Sequence, residues 1–375
     1  MSNRPAILLP GAPLAAIRRV LGELGYWGDL AAPPDAGMAL RHLVDAGCDH
    51  LPLPGSGATL ARWQALARVA AVDLSLVKLY EGHMDALAIF AELGLAPDAP
   101  AGSRWGVWCA EPPDYRVALV PQPDGSARLR GVKAWCSGAA TISHALVSAW
   151  DPAGEPCLAA VALDQPGVTV TSEGWHAVGM RGSASVNVVF DDAVCRQVGA
   201  PGAYVNRPGF QHGGAGVAAC WYGGLTRIAS TLRAATPAGT PTAPTAPSAP
   251  NASSAPSAPS APTENPHRLA HLGAVDVAMA QARAVLRDTA ALIDANPADA
   301  CTLGCARARL AVEAAASEVM TRAGRALGAG PLCRDAGFAQ VMADLPVFIR
   351  QSHAERDQAA LGRLVRNQEE PPWQL

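Results

Sequence analysis

Apolar positions in the first hundred residues recur at steps of three and four. Leu14, Ile17, Val20 and Leu21 form one such stripe, and Leu60, Trp63, Leu66 and Val69 form another. Leu76, Leu79, Tyr80 and His83, continued by Ala86, Leu87 and Phe90, make a third. That period puts side chains on one face of a helix, so helices are expected from residue 12 to about 98. Their breaks are expected at Pro33-Pro34 and Pro52-Leu53-Pro54-Gly55. From Trp105 the period shortens to two, most clearly in Ser185 to Phe190 and in Leu158 to Leu163. Turn residues at Pro123-Asp124-Gly125, Asp151 to Gly154 and Pro166-Gly167 divide this region into short strands, the pattern of a small antiparallel β-domain. Helical spacing returns near Gly214 and runs to Leu232. Leu272, Val275, Met279, Ala282 and Leu286 then step by three and four, and single helices are expected over Ala306 to Leu327 and Gln340 to Leu364.

Residues 236–266 break every period. They are a Thr/Ala/Pro/Ser tract with Ser-Ala-Pro repeats, which offers nothing to a core and removes backbone donors at each proline. A disordered surface loop inside the helical domain is expected. The architecture read from the pattern is α+β and multidomain: an N-terminal helical domain (1–104), an antiparallel β-sandwich or barrel (105–200), and a C-terminal helical bundle (201–375) interrupted by that loop.

Composition narrows the class. Of 375 residues, 50% are apolar and 16% charged, which is globular, and the net charge of −3 lacks the basic excess that nucleic acid selects. The nine cysteines are scattered and odd in number, without a Cys-x-x-Cys pair, which suits a reduced, cytoplasmic protein. Cys301 and Cys305 lie one helical turn apart with no histidine nearby and are read as buried helix cysteines, so no metal is expected. Ala6 to Leu9 is apolar but is broken by Pro10, Gly11 and Pro13, and no stretch reaches the length of a membrane span.

Three short runs carry chemistry: Trp108-Cys109-Ala110-Glu111-Pro112, Gly131 to Ala139 containing Trp135 and Ser137, and Gly179-Met180-Arg181-Gly182-Ser183. A flat, largely apolar ring system with a polar edge needs a broad aromatic wall and a few small hydrogen-bonding groups. Trp135 suits the wall. Ser137, two residues on along a strand, is expected on the same side, and Ala110 offers its backbone N–H and C=O. Taken singly, Trp135 also reads as a core tryptophan and Ser137 as a strand-end polar residue.

Together the runs resemble the flavin-contacting strands of acyl-CoA dehydrogenases. The resemblance extends to Phe190-Asp191-Asp192, to Pro208-Gly209-Phe210-Gln211-His212, and to Gly328-Ala329-Gly330 followed by Asp344 to Ile349. It covers roughly residues 105 to 365. It implies FAD, held by Cys109, Ala110, Trp135, Ser137, Gly328 and Gly330. It further implies an acyl-CoA or acyl-carrier thioester as substrate, an electron acceptor left unidentified, and a homodimer or homotetramer.

Two departures from the family pattern stand out. Ser352 occupies the place of the catalytic glutamate, leaving His353, oriented by Glu355, as the expected acid/base pair, with helix capping as its competing role. His212 is a second candidate. The Arg-x-x-Phe-Gly segment that holds the FAD pyrophosphate is replaced by the Pro/Ala/Ser tract, which leaves FMN open. Tyr80-Glu81-Gly82 matches the family's catalytic tripeptide but in the wrong domain, although Glu81 and His83 could face the substrate cavity. Related proteins with a histidine in place of the glutamate include flavin monooxygenases, so oxygen activation is the alternative to α-proton removal. A non-catalytic flavin-binding or scaffold protein is the third reading.

Overall fold

The computed structural model describes residues 12–26, 34–236 and 265–374. Most of the Pro/Ala/Ser tract, residues 237–264, lies outside them, as do Ala6 to Leu9 and Pro33. Four helices come first: α1 (Ala12–Glu23), α2 (Ala36–Asp45), α3 (Thr59–Ala70) and α4 (Leu74–Glu92). The stripes that predict them are their buried faces, with Ile17, Leu21, Trp63, Leu66, Leu76 and Tyr80 nearly inaccessible. Asp35 and Asp73 accept from backbone N–H groups three residues on and so cap α2 and α4.

Seven strands follow: β1 (Trp105–Trp108), β2 (Val117–Pro121), β3 (Ala127–Cys136), β4 (His144–Trp150), β5 (Pro156–Ala162), β6 (Val168–Val170) and β7 (Val186–Gln197). Strands β4, β2, β3, β7 and β5 pair in turn, and β5 pairs back with β4, so the sheet closes on itself. The seal between β2 and β4 is the single pairing of Ala118 with Trp150. The domain is antiparallel as expected in most of its pairings, except that β1 and β2 both run parallel to β4. Alternation reports that a strand has two unlike faces and is silent on its direction.

The C-terminal helices are α5 (Ala203–Asn206), α6 (Gly209–Ala234), α7 (Pro266–Ala295), α8 (Thr302–Leu327), α9 (Ala329–Arg334), α10 (Ala336–Phe348) and α11 (Glu355–Arg366). The expected loop over 236–266 ends early, because Asn265 caps α7 and Pro266 is its first residue, where the missing N–H costs nothing. By length and hydropathy α7 could cross a membrane. Its stripe of Val275, Ala282, Leu286, Ala290 and Ile293 is buried against the other bundle helices. The helix expected from Gln340 to Leu364 is broken in two. Residues 349–351 form a 3-10 turn, Ser352 is extended at ψ 140°, and Ala354 takes φ 46°.

One hydrophobic core runs from α1 to α4 through the barrel to α6, α8 and α10. A smaller cluster of Phe90, Trp105, Leu146 and Leu158 fastens α4 to the sheet, with Phe90 edge-on to Trp105 at 4.9 Å.

Candidate functional site

The site begins where β3 fails to stay regular. Its register against β7 slips between Lys133 and Cys136, and within the slip Trp135 takes φ 59°. A non-glycine residue in that region costs about 1–2 kcal/mol. The side chain it presents is 53% exposed, the reverse of a core tryptophan. A large aromatic surface held outward on a strained backbone fits the wall of a ring-binding pocket.

Ser137 lies one residue beyond β3, so strand alternation does not set its direction as the sequence suggests. Hydrogen bonds set it instead. Its hydroxyl lies 2.8 Å from Ser185 Oγ, Ser185 Oγ lies 2.9 Å from Ser183 Oγ, and Ser183 donates to the Met180 carbonyl at 2.8 Å. The Ser137 carbonyl accepts from Trp108 Nε1 at 3.1 Å. Cys109 and Ala110 follow β1 directly and are half-buried. Burial pushes the Cys109 thiol up to about 11, against the pull of Lys133, so it is a neutral group and not a thiolate nucleophile.

Beneath this surface Lys133 is fully buried, and its ammonium donates to Glu111 Oε1 at 2.5 Å and to Ser148 Oγ at 2.7 Å. Glu111 also accepts from Ser148 Oγ and from Trp150 Nε1. Burial alone would raise the Glu111 carboxyl, but these donors outweigh it and hold the group below its usual range. The pair ties the loop after β1 to β3 and β4, and so fixes Ala110 beside Trp135's strand.

Between α4 and β1 is a cleft of about 10 Å³, lined by Lys78, Leu79, Gly82, Trp108, Ser137 and Ile142 among others. A larger hollow of about 650 Å³ lies among the tail residues Asn367 to Pro372 and Gln374, none of them aromatic or basic. The smaller cleft, abutting Ser137, is the one with chemistry around it.

The break between α10 and α11 exposes His353, whose backbone N–H donates to Asp357 Oδ2 at 3.0 Å and whose Nδ1 lies 3.7 Å from Asp357 Oδ1. The carboxylate brought to His353 is therefore Asp357, one turn into α11. Glu355, the expected partner, sits exposed in the first turn of that helix. Ser352 is buried and donates to Glu313 Oε2 at 2.5 Å, while Arg350 holds Glu313 Oε1 at 2.5 Å. Glu313 and Asp357 escape a reading of the sequence: Glu313 comes from α8, about forty positions away, and no local spacing links it to Ser352.

The other candidates have structural partners. His212 is buried with Nε2 2.8 Å from the Asp299 carbonyl, and burial lowers its pKa. His83 Nδ1 accepts from the Trp105 N–H, and its Nε2 faces Asp49 at 3.4 Å. The Tyr80 hydroxyl donates to the Cys48 carbonyl, while Glu81 pairs with Lys78 at 3.3 Å. Gly328 ends α8 at φ 65°, and a Cβ on it or on Gly330 would meet nothing within 4 Å. Within this chain neither glycine is required for a close approach, and Gly328 acts as a helix terminator. The exposed Trp135 ring and the Ser137 hydroxyl are groups of the kind that suit the ring of a flavin, and the space beside Gly328 and Gly330 is open.

No protein-family model matches the chain. Amino sugar nitrososynthase DnmZ of Streptomyces peucetius is 42% identical over 96 residues, which are 24% of this chain and 24% of that protein. The chain thus matches about a quarter of the length of that curated relative. The solved structure of TdsC from Paenibacillus sp. A11-2 with FMN and indole has a TM-score of 0.76 at 19% identity, covering 97% of this chain and 98% of that one. KijD3 in complex with FMN and dTDP-3-amino-2,3,6-trideoxy-4-keto-3-methyl-D-glucose has a TM-score of 0.73 at 18% identity, covering 99% and 97%. The chain shares the fold of these structures, which is acyl-CoA dehydrogenase-like.

Proposed function

We propose that the protein is a flavin-dependent monooxygenase that oxygenates a heteroatom of a small substrate. The observation that carries this reading is the tie at Ser352. An α-proton abstraction needs a free carboxylate there, and the two that reach Ser352 are both engaged: Glu313 by Arg350 and by Ser352 itself, Asp357 by Ser352 and by the His353 backbone N–H. Beside it His353 stands open, the residue type suited to proton transfer near neutrality. The dehydrogenase reading therefore yields to its alternative, a choice also supported by the nitrososynthase and monooxygenase relatives.

The flavin supplies two electrons and two protons to dioxygen, which delivers one oxygen atom to the substrate and the other to water. The chain does the rest. Trp135 forms the wall of the ring pocket, Ser137 and the Ala110 backbone meet its polar edge, and the serine ladder down to Met180 fixes the Ser137 hydroxyl. His353, oriented by Asp357, handles the proton that accompanies water release. The cofactor in this reading is FMN, a choice supported by the TdsC and KijD3 structures, which hold FMN.

The test is direct. Protein loaded with FMN and reduced anaerobically is mixed with oxygenated buffer and an amine or thioether panel, and oxygenated product is followed by mass spectrometry. Product with one added oxygen supports the proposal. Bleaching of oxidised flavin by an acyl-CoA, without oxygen uptake by the reduced form, restores the dehydrogenase reading.

A further inference from the structure

We propose that Arg309 is a positioning residue: through the Gln351 carbonyl it sets where His353 stands. The inference deepens the reading of His353 as the group that handles the proton, and rests on it.

The chain at this point cannot hold its own shape. After α10 it passes through a 3-10 turn at Ile349–Gln351 and an extended Ser352, and Ala354 then takes φ 46° with ψ −113°. An alanine in that region is strained, and such a conformation persists only where the surroundings over-determine it. His353 sits between the extended residue and the strained one.

Those surroundings are one face of α8. Arg309 and Glu313 lie one helical turn apart and so project toward the same stretch of chain. Between them they hold three consecutive residues. Glu313 Oε1 accepts from Arg350 at 2.5 Å, Arg309 Nη2 donates to the Gln351 carbonyl at 3.0 Å, and Glu313 Oε2 accepts from Ser352 at 2.5 Å. The next residue is His353.

Arg309 is itself fixed from a further element. Its Nη1 donates to the Gly214 carbonyl of α6 at 2.7 Å, and its guanidinium lies over the indole of Trp221, 5.0 Å from the ring centre. Trp221 is inaccessible to solvent. The planar fork therefore spans two carbonyls from two elements while stacked on a ring, and the point charge of a lysine has neither the plane nor the span. Burial works against the cation, whereas the carboxylates of Asp357, Glu313 and Glu81 favour it. Asp357 is also the carboxylate beside the His353 ring. One guanidinium thus bears on His353 through the backbone before it and through its side-chain partner.

The first readout uses the flavin-free protein, with backbone hydrogen exchange followed for the wild type, Arg309→Ala and Arg309→Lys. The amides of Ser352 and His353, bonded to the Ile349 carbonyl and to Asp357, exchange about tenfold faster or more in both variants, while amides in the middle of α6 and α8 keep wild-type protection. The second uses the FMN-loaded enzyme with the oxygenated member of the amine and thioether panel. There kcat falls about tenfold or more in both variants at unchanged KM and FMN affinity. Guanidinium ion at millimolar concentration restores part of the turnover of Arg309→Ala and none of that of His353→Ala. Should Arg309→Ala fail to fold, the lysine variant carries both comparisons. Wild-type exchange at residues 352–353 or wild-type kcat in either variant overturns the proposal. A loss of kcat matched by an equal loss of FMN affinity overturns it as well, because that marks a merely structural role. Full turnover in His353→Ala sinks the reading of His353 instead.

Discussion

The backbone N–H of Met180 donates to the buried carboxylate of Asp344, which fastens the turn at the end of the barrel to α10. Gln340 donates to the same carboxylate at 2.6 Å. The Met180 carbonyl receives Ser183, and the hydroxyl ladder continues through Ser185 to Ser137. One residue, Met180, therefore connects Ser137 with the helix that leads to His353.

That junction is close enough to demand glycine. A Cβ on Gly179 would lie 1.9 Å from the Ala343 carbonyl oxygen, which is backbone and cannot swing aside. Gly179→Ala is expected to cost about 3 kcal/mol or more, seen as a lower urea midpoint, and to weaken FMN binding by displacing the ladder. A variant as stable as wild type would show that the turn docks differently.

Trp135 separates binding from stability. Trp135→Gly relieves the left-handed backbone and is expected to raise stability by about 1 kcal/mol, while weakening FMN affinity at least about tenfold through loss of the wall. Thermal melts and flavin fluorescence titration read the two effects separately. Equal FMN affinity in the variant removes Trp135 from the pocket.

Asp73 gives a pH signature. Burial, with Asp344 adding to it and the Leu76 N–H opposing, pushes its carboxyl up to about 6. A carboxyl raised on folding binds its proton more tightly in the native state, so its contribution to stability falls as pH rises from about 4 to about 6 and is flat above. Asparagine keeps the helix cap without the charge. Asp73→Asn should exceed wild type by about 2 kcal/mol at pH 8 and match it below pH 4, measured by chemical denaturation across that range.

His353 and Ser352 should part company. His353→Ala, at an exposed position, is expected to leave stability within about 0.5 kcal/mol while lowering turnover about a hundredfold in protein that still binds FMN. Ser352→Ala removes a donor from buried Glu313 and is expected to cost about 1–2 kcal/mol of stability. A His353→Ala enzyme with full turnover would end the assignment of that residue.

The helices of the first ninety residues and the alternation of β5 and β7 were legible because burial imposes period on sequence. The parallel pairing of β1 and β2 with β4 was not, because side-chain alternation is the same in either direction. Trp135 was legible as a residue type, but its outward direction comes from a slip in register that no residue type announces. The break at Ala354 hid within an apolar pattern that reads equally well as one long helix. Asp357 and Glu313 were missed because the first acts across a helix start and the second from another helix.

Arg268 Nη1 donates to the Ala235 carbonyl at 2.6 Å, pinning the head of α7 to the tail of α6. The chain thus leaves the bundle and rejoins it at one knot, whatever length is spliced between. Replacing that stretch with a few glycines, or opening new chain ends within it, should leave the bundle assembled.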